Sequence, residues 1–275
     1  MMQYLYLLVS FCLIFCLSGC GPLAAVGAIG TTVTNASYNA AERNLNNPKQ
    51  SRSEQALQVA EANYNLAVEY YRQGENEKAL EKLERTIAAE KKFAPAYNLL
   101  GLLYQRLGQV QAAEDSFEKA IDLNESDASA FNNYGLFLCS QNRRDEAEEI
   151  FQRAANNPLY QTPEIALTNS GICLLNTDPV KAQDYFVLAL SKNKNFSPAL
   201  LEMAELAFSD REYELANDYF QRYRTLSRQN PRSLWLGIRI SAKTGNQDNL
   251  ASYKLLLRNQ YPESDEARLL RESTL

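Results

Sequence analysis

The chain has no histidine and five cysteines, so sulfur carries most of the chemistry that its side chains could perform. A thiolate can attack an electrophile, bind a metal, pair with a second cysteine or take up a lipid. Without imidazole, the commonest general acid–base and the commonest zinc ligand are both missing. Cys12, Cys16 and Cys20 lie in or beside an apolar N-terminal run, whereas Cys139 and Cys173 lie deep in a helical body. No Cys-x-x-Cys motif occurs, and the spacings match no metal site. Glu146, Glu148 and Glu149 sit at helical positions that face solvent, where carboxylates serve hydration and pairing with cations one turn away. No glycine-rich phosphate loop follows a strand. Carboxylate or lysine chemistry is the only route left to an enzyme, and the reading is of a protein without catalysis, metal, cofactor or small-molecule substrate. The net charge of −5 leaves no basic surplus to neutralise phosphates, which excludes nucleic acid as a partner.

The N-terminal cysteines fall in a recognisable context. From Tyr4 to Leu17 the chain is almost wholly apolar, and no charge appears before Glu42. Such a run is short of the ~20 residues that a spanning helix needs. It fits the apolar core of a secretory signal, which takes about 7–15 residues followed by small ones. Leu17-Ser18-Gly19-Cys20 comes next and resembles the lipobox of bacterial lipoproteins, in which the cysteine thiol takes a diacylglyceryl group and becomes the first mature residue. Residues 1–19 are then a signal peptide, although Met1-Met2-Gln3 departs from the usual pattern in carrying no Lys or Arg. The competing reading is a short membrane anchor. Two or more acyl chains give a stable anchor where one is marginal. Gly21, not Asp, follows Cys20; by resemblance to the sorting rule of enteric bacteria this points to the inner leaflet of the outer membrane, with the body facing the periplasm. Residues 20–55, rich in Gly, Ala, Asn, Ser and Thr, read as the lipidated N-terminus and its tether, with an apolar stretch at Pro22–Ile29.

The elements that must carry any site are repeats. Ala60, Ala94 and Ala128 open similar segments 34 residues apart, each running into a Tyr/Phe-Asn pair or its near equivalent. That period belongs to the tetratricopeptide repeat, a helix–turn–helix unit. Gly74 and Gly108 hold one turn position, and Asn142 replaces the third glycine; both residue types tolerate the left-handed backbone that ends a helix. Ala79, Ala113 and Ala147 mark second helices, with Leu83, Phe117 and Phe151 as large side chains and Thr86, Ala120 and Ala154 as small ones a turn later. A fourth unit (Gly171, Ala182, Phe186, Ala189) follows an insertion near Thr162-Pro163 and lacks one residue at its turn. A fifth (Ala204, Ala216, Phe220, Tyr223) and a degenerate sixth (Leu234, Gly237, Gly245, Leu250, Pro262) complete the series. The expected fold is all-α: a right-handed α-solenoid of about six tetratricopeptide repeats over 56–275. The units fall near 60–93, 94–127, 128–161, 164–196, 197–230 and 231–263, with a capping helix at 264–275.

Part of the body resembles a narrower family. Asn133-Tyr134-Gly135-Leu136-Phe137-Leu138-Cys139, then Asn157-Pro158-Leu159-Tyr160 with Thr162-Pro163, then Asn169-Ser170-Gly171-Ile172-Cys173-Leu174, are outside the general repeat pattern. They resemble the PilF/PilW type IV pilus lipoproteins, also called secretin pilotins. The resemblance implies an outer-membrane lipoprotein that binds the type IV pilus secretin and promotes its localisation and multimerisation. The alternative is another envelope adaptor on the same repeats, serving outer-membrane barrel assembly or a cell-wall hydrolase.

A stack of helix pairs curves, and its concave face is built mainly from first helices. Repeat register places Tyr64, Val68 and Tyr71 there from the first unit, Asn98, Leu102 and Gln105 from the second, and Asn132 and Leu136 from the third. Ile172, Leu201 and Phe208 extend the row. Aromatic side chains beside amides suit capture of a protein segment, and the first two units, nearest the tether, are the preferred face. Tyr64, Tyr71 and Leu102 can equally serve packing between units. Cys139 and Cys173 fall on first helices of adjacent units, behind Gly135 and Gly171. In an oxidising envelope compartment a disulfide is favoured over two buried thiols acting as small hydrophobes.

Overall fold

The computed structural model describes residues 51–273, and every regular element among them is an α-helix. Six antiparallel pairs follow one another: α1 (Arg52–Gln73) with α2 (Asn76–Ala89), α3 (Ala94–Arg106) with α4 (Val110–Leu123), α5 (Ala128–Ser140) with α6 (Arg144–Asn156), α7 (Pro163–Leu174) with α8 (Pro179–Lys192), α9 (Ser197–Ser209) with α10 (Tyr213–Leu226), and α11 (Pro231–Thr244) with α12 (Gln247–Gln260). A short α13 (Asp265–Glu272) closes the series. The first helix begins at Arg52, ahead of the boundary expected at 56, because Ser51 and Glu54 form a reciprocal capping box: Ser51 N–H donates to Glu54 Oε2 at 2.8 Å and Glu54 N–H to Ser51 Oγ at 3.3 Å.

The turns inside the pairs follow from backbone sterics. Gly74, Gly108 and Gly245 have φ of 77°, 72° and 73°, and Asn142 takes the same left-handed conformation at 67°. Arg211 does so too, at 66°, where nothing in its side chain favours it. The fourth pair has one residue fewer between Gly171 and Phe186 than the third has between Gly135 and Phe151, and its four-residue turn at 175–178 contains no left-handed residue; Asp178 instead accepts Lys181 N–H at 3.0 Å and starts α8.

Consecutive first helices pack on one another, whereas no two neighbouring second helices approach. The stack is therefore tighter on the first-helix side, which becomes the inner face. Second helices are linked by long side chains only, such as Gln152 to the Tyr185 hydroxyl (2.6 Å) and Lys181 to Glu148.

The core is a column of rings set against missing side chains. Phe117, Phe151 and Phe186 are completely buried, and a Cβ built on Gly101, Gly135 or Gly171 would lie 2.6, 2.7 or 2.5 Å from the respective ring. In the fifth pair the small residue is Ala204; Phe220 there turns to Gly237 of the next pair, whose Cβ would lie 2.7 Å from its ring. Each buried ring contributes about 2–3 kcal/mol of apolar transfer. The alanines expected to admit close helix approach, Ala79, Ala113, Ala147, Ala182 and Ala216, are all fully buried. At the end of the stack α13 lays Ala267 and Leu270 on the last pair while Arg268 faces water and pairs with Asp265 and Glu272. That is the geometry a solenoid end requires.

Candidate protein-binding groove

Cys20 lies outside the described residues, as do the signal peptide at 1–19 and the tether as far as residue 50. No described helix is long and apolar enough to cross a membrane.

The residues expected to line the groove divide into three sets. In the first pair, Tyr64, Val68 and Tyr71 are half-buried around the Leu83 cluster. The Tyr64 ring packs on Phe93 with centroids 5.3 Å apart. The Arg106 guanidinium lies 3.5 Å from the Tyr71 ring centre and donates to the Tyr71 carbonyl at 2.6 Å, so this ring already holds a cation. A second set is structural. Leu102 packs against the clusters on either side of it, Leu136 packs against the cluster around Phe131 and Phe151, and Leu201 is 7% exposed. These leucines pack in the seams between units, and Leu102 and Leu136, half-buried, still present part of their side chains on the inner face. Their register is as expected; the neighbouring first helices approach closely enough to cover Leu201.

The third set is polar. Asn98 is half-buried and accepts from Asn133 Nδ2 at 3.1 Å, while Asn132, only 6% exposed, accepts from Asn169 Nδ2 at 2.9 Å. Asn132 is thus a buried link between units and not a free lining residue. Gln105 is half-buried, and Ile172 is an exposed apolar side chain of this face. Asn133 and Asn169 were not expected in the groove; their signal was their place beside Asn132 and Gly171 in the motif. Phe208 is half-buried between the Tyr213 ring (5.4 Å) and the Arg239 guanidinium (4.8 Å).

An ion pair built on a buried carboxylate, Glu202, also escapes sequence reasoning. Arg232 on α11 grips Glu202 on α9 through two hydrogen bonds of 2.7 and 2.8 Å, and Arg239 reaches Glu205 at 2.7 Å. The hydrogen bonds to Glu202 raise the Arg232 pKa. Such bidentate geometry fixes orientation as well as charge.

The two body cysteines are joined, with Sγ–Sγ 2.13 Å and Cα–Cα 5.8 Å, tying α5 to α7. They flank the longer connection at 157–162. There Asn157 donates to the Ser126 carbonyl at 2.7 Å, Tyr160 packs on the third-unit cluster, and Leu159 stands 74% exposed.

Several tyrosines couple this packing to pH. Burial raises the pKa of Tyr64, Tyr134, Tyr160 and Tyr185; at Tyr134 the charges of Glu118 and Glu114 add to it. The folded state favours the neutral phenols. Their contribution is complete below the ordinary tyrosine range and is lost as pH rises through the raised values. Thermal midpoints recorded across alkaline pH are expected to fall above about pH 10, and Tyr134→Phe to soften that fall. Midpoints level across that range would show that these phenols are solvated.

Tetratricopeptide-repeat models match residues 64–108, 94–127 and 128–156. The fold and these matches define a tetratricopeptide-repeat solenoid, a scaffold of the protein-binding class. The solved structure of PilF from Pseudomonas aeruginosa is 31% identical, covers 81% of this chain and 99% of that one, and superposes with a TM-score of 0.70. That of PilW, a widely conserved type IV pilus biogenesis factor, gives 30% identity, 78% and 98% coverage and a TM-score of 0.67. The chain belongs to the PilF/PilW family of tetratricopeptide-repeat type IV pilus biogenesis proteins. The type IV pilus assembly protein PilF of Pseudomonas aeruginosa is also 37% identical over 112 residues, and that alignment spans 40% of this chain and 44% of the relative.

Proposed function

We propose that this protein is an outer-membrane lipoprotein, anchored in the inner leaflet through acyl chains on Cys20, that binds the type IV pilus secretin and promotes its localisation and multimerisation. The observation that carries this reading is the match to PilF along 99% of its solved chain and 81% of this one. The inner face supplies a binding surface, and no catalytic step is assigned to it. The covalent lipid is the only prosthetic group, and neither nucleic acid nor a small molecule is a substrate.

The test is capture of outer-membrane proteins on the full-length chain and on Cys20→Ala, with heat-stable secretin multimers followed in parallel. The secretin is expected among the captured proteins, and its multimers are expected to be lost or misplaced in the Cys20→Ala strain. Capture of a barrel-assembly protein or a cell-wall hydrolase, with multimers unchanged, overturns the assignment.

A further inference from the structure

The outer face of the stack, built from second helices, departs from its own pattern at unit four. Two positions before the second-helix alanine stand Glu77, Gln111, Asp145 and Glu214 in units one, two, three and five; unit four has Val180, 71% exposed. Five positions after that alanine stand Glu84, Glu118, Gln152 and Gln221; unit four has Val187, 51% exposed. Residues seven apart share one side of a helix, so α8 turns an apolar stripe outward where its counterparts carry polar groups. The neighbouring helix departs in the same direction. At the seam between units three and four, Lys181 pairs with Glu148, and the Tyr185 hydroxyl meets both Glu148 and Gln152. At the next seam the equivalent residues are Leu215 for Lys181, Tyr219 for Tyr185, Gln183 for Glu148 and Val187 for Gln152. Leu215 is 40% exposed, and among the described residues no hydrogen bond or ion pair joins α8 to α10. Leu190 and Tyr219 each pack on the clusters of both units, which turns them toward the seam. Val187 and Leu215 lie one turn before them on the same sides. The result is an open channel with apolar walls. The first seam also lacks a bridge between second helices, but there α2 carries Glu77 and Glu84 on its exposed side.

These walls select a helix as the occupant. They are themselves helices, with their backbone groups already bonded and apolar side chains between them. An extended segment laid there would withdraw its N–H and C=O groups from water without replacement. An α-helix satisfies its own backbone and presents an apolar stripe to such a groove. Charge gives the helix a direction. Lys192, Lys194 and Arg222 stand at the end where α8 and α10 finish; Arg222 lies over the Tyr219 ring and donates to the Lys194 carbonyl at 2.8 Å. Glu212 and Glu214 stand at the opposite end, with Asp184 and Asp218 on the outer ridges between. A helix antiparallel to α8 and α10, with acidic residues in its first turn, meets the basic end and the C-terminal dipoles together. A second copy of the chain is a poorer fit. Val180, Val187, Leu190, Leu215 and Tyr219 make the footprint of one helix, whereas a stable dimer uses about 20–30 residues a side.

We propose that the outer channel between α8 and α10 is a second docking surface, separate from the inner face. Its occupant is an amphipathic helix of a protein partner, with an apolar stripe along one side and acidic residues in its first turn. The proposal stands whichever protein the inner face binds. The probe is a synthetic stapled helix of about four turns, with photo-leucine along one side and glutamates in its first turn. It is irradiated with the full-length chain, and the adducts are mapped by mass spectrometry. Adducts are expected within 180–190 and 215–222. Val187→Gln/Leu215→Lys, which installs the residues of the preceding seam, is expected to cut labelling at least about tenfold, since burial of each apolar side chain is worth about that factor. Val187→Ile/Leu215→Ile keeps the walls apolar and is expected to keep the labelling. Both positions are exposed, so neither pair disturbs the core. Adducts on the inner face or scattered over the surface overturn the proposal, as does equal labelling by a helix of the same composition whose leucines are spread around it. A wild-type dimer that Val187→Gln/Leu215→Lys converts to monomer in light scattering gives the channel to a second copy and overturns it too. Flotation of the Cys20→Ala chain with phospholipid vesicles, abolished by the same pair, gives it to the membrane with the same consequence.

Discussion

Replacing both body cysteines, as Cys139→Ala/Cys173→Ala, is expected to lower stability by about 3–4 kcal/mol and to split one unfolding transition into two. The bridge closes a span of 34 positions, and in the chain-entropy view its effect lies in the unfolded chain, which it holds together at long range. Its position gives it a second effect. In a linear stack, stability is the sum of unit terms and neighbour interfaces. The interface between the third and fourth units is where regular spacing fails, with a six-residue connection ahead of α7 where the other inter-pair connections have four. Weakening that interface uncouples units four to six from units one to three. The variant still folds, because Asn132–Asn169, Gln152–Tyr185 and Lys181–Glu148 cross the same seam. Alanine is the right substitute at Cys173, which is 8% exposed and would bury an unpaired hydroxyl as serine. Urea unfolding of wild type, wild type with reductant, and the double variant measures the loss. Equal midpoints for all three would show that the bridge adds nothing to the stack.

The repeat frame was readable because each landmark is a local steric requirement. A left-handed turn needs Gly or Asn, so Asn142 could be assigned in place of a third glycine, and its φ of 67° meets that requirement. Arg211 could not, since arginine carries no preference for that conformation and is placed there by the pairs on either side. The groove was legible as a face and illegible as a surface. Periodicity tells which side of a helix Leu102, Asn132 and Leu201 occupy; it does not tell how near the next first helix comes, and that distance decides between lining and packing. Glu202 shows the same limit. It is buried where Arg232, 30 positions away, is delivered to it by superhelical stacking.

The glycine–ring column yields the sharpest test of that frame. Gly101→Leu is expected to destabilise the body by about 3 kcal/mol, the upper end of the usual range for overpacking, and Gly101→Ala by about 1–2 kcal/mol even though alanine is the better helix former. The reason is that the Cβ alone meets the Phe117 ring at 2.6 Å. Phe117 is fully buried and cannot swing away, since the Tyr134 and Phe137 rings stand 5.9 and 5.5 Å from it on the next first helix. The first pair already contains the compensating arrangement: Ala67 stands at the glycine position and Leu83 at the ring position, both fully buried in one cluster. Gly101→Ala/Phe117→Leu copies that pair into the second unit, so the two changes together should cost less than the sum of their separate costs, by about 1–2 kcal/mol. Additive costs in a urea-unfolding double-mutant cycle would mean that the ring does not rest on Gly101. A stabilised Gly101→Ala would mean that helix propensity outweighs the contact. Either result would break the alignment of the second unit with the first, and with it the assignment of Asn98 to the inner face.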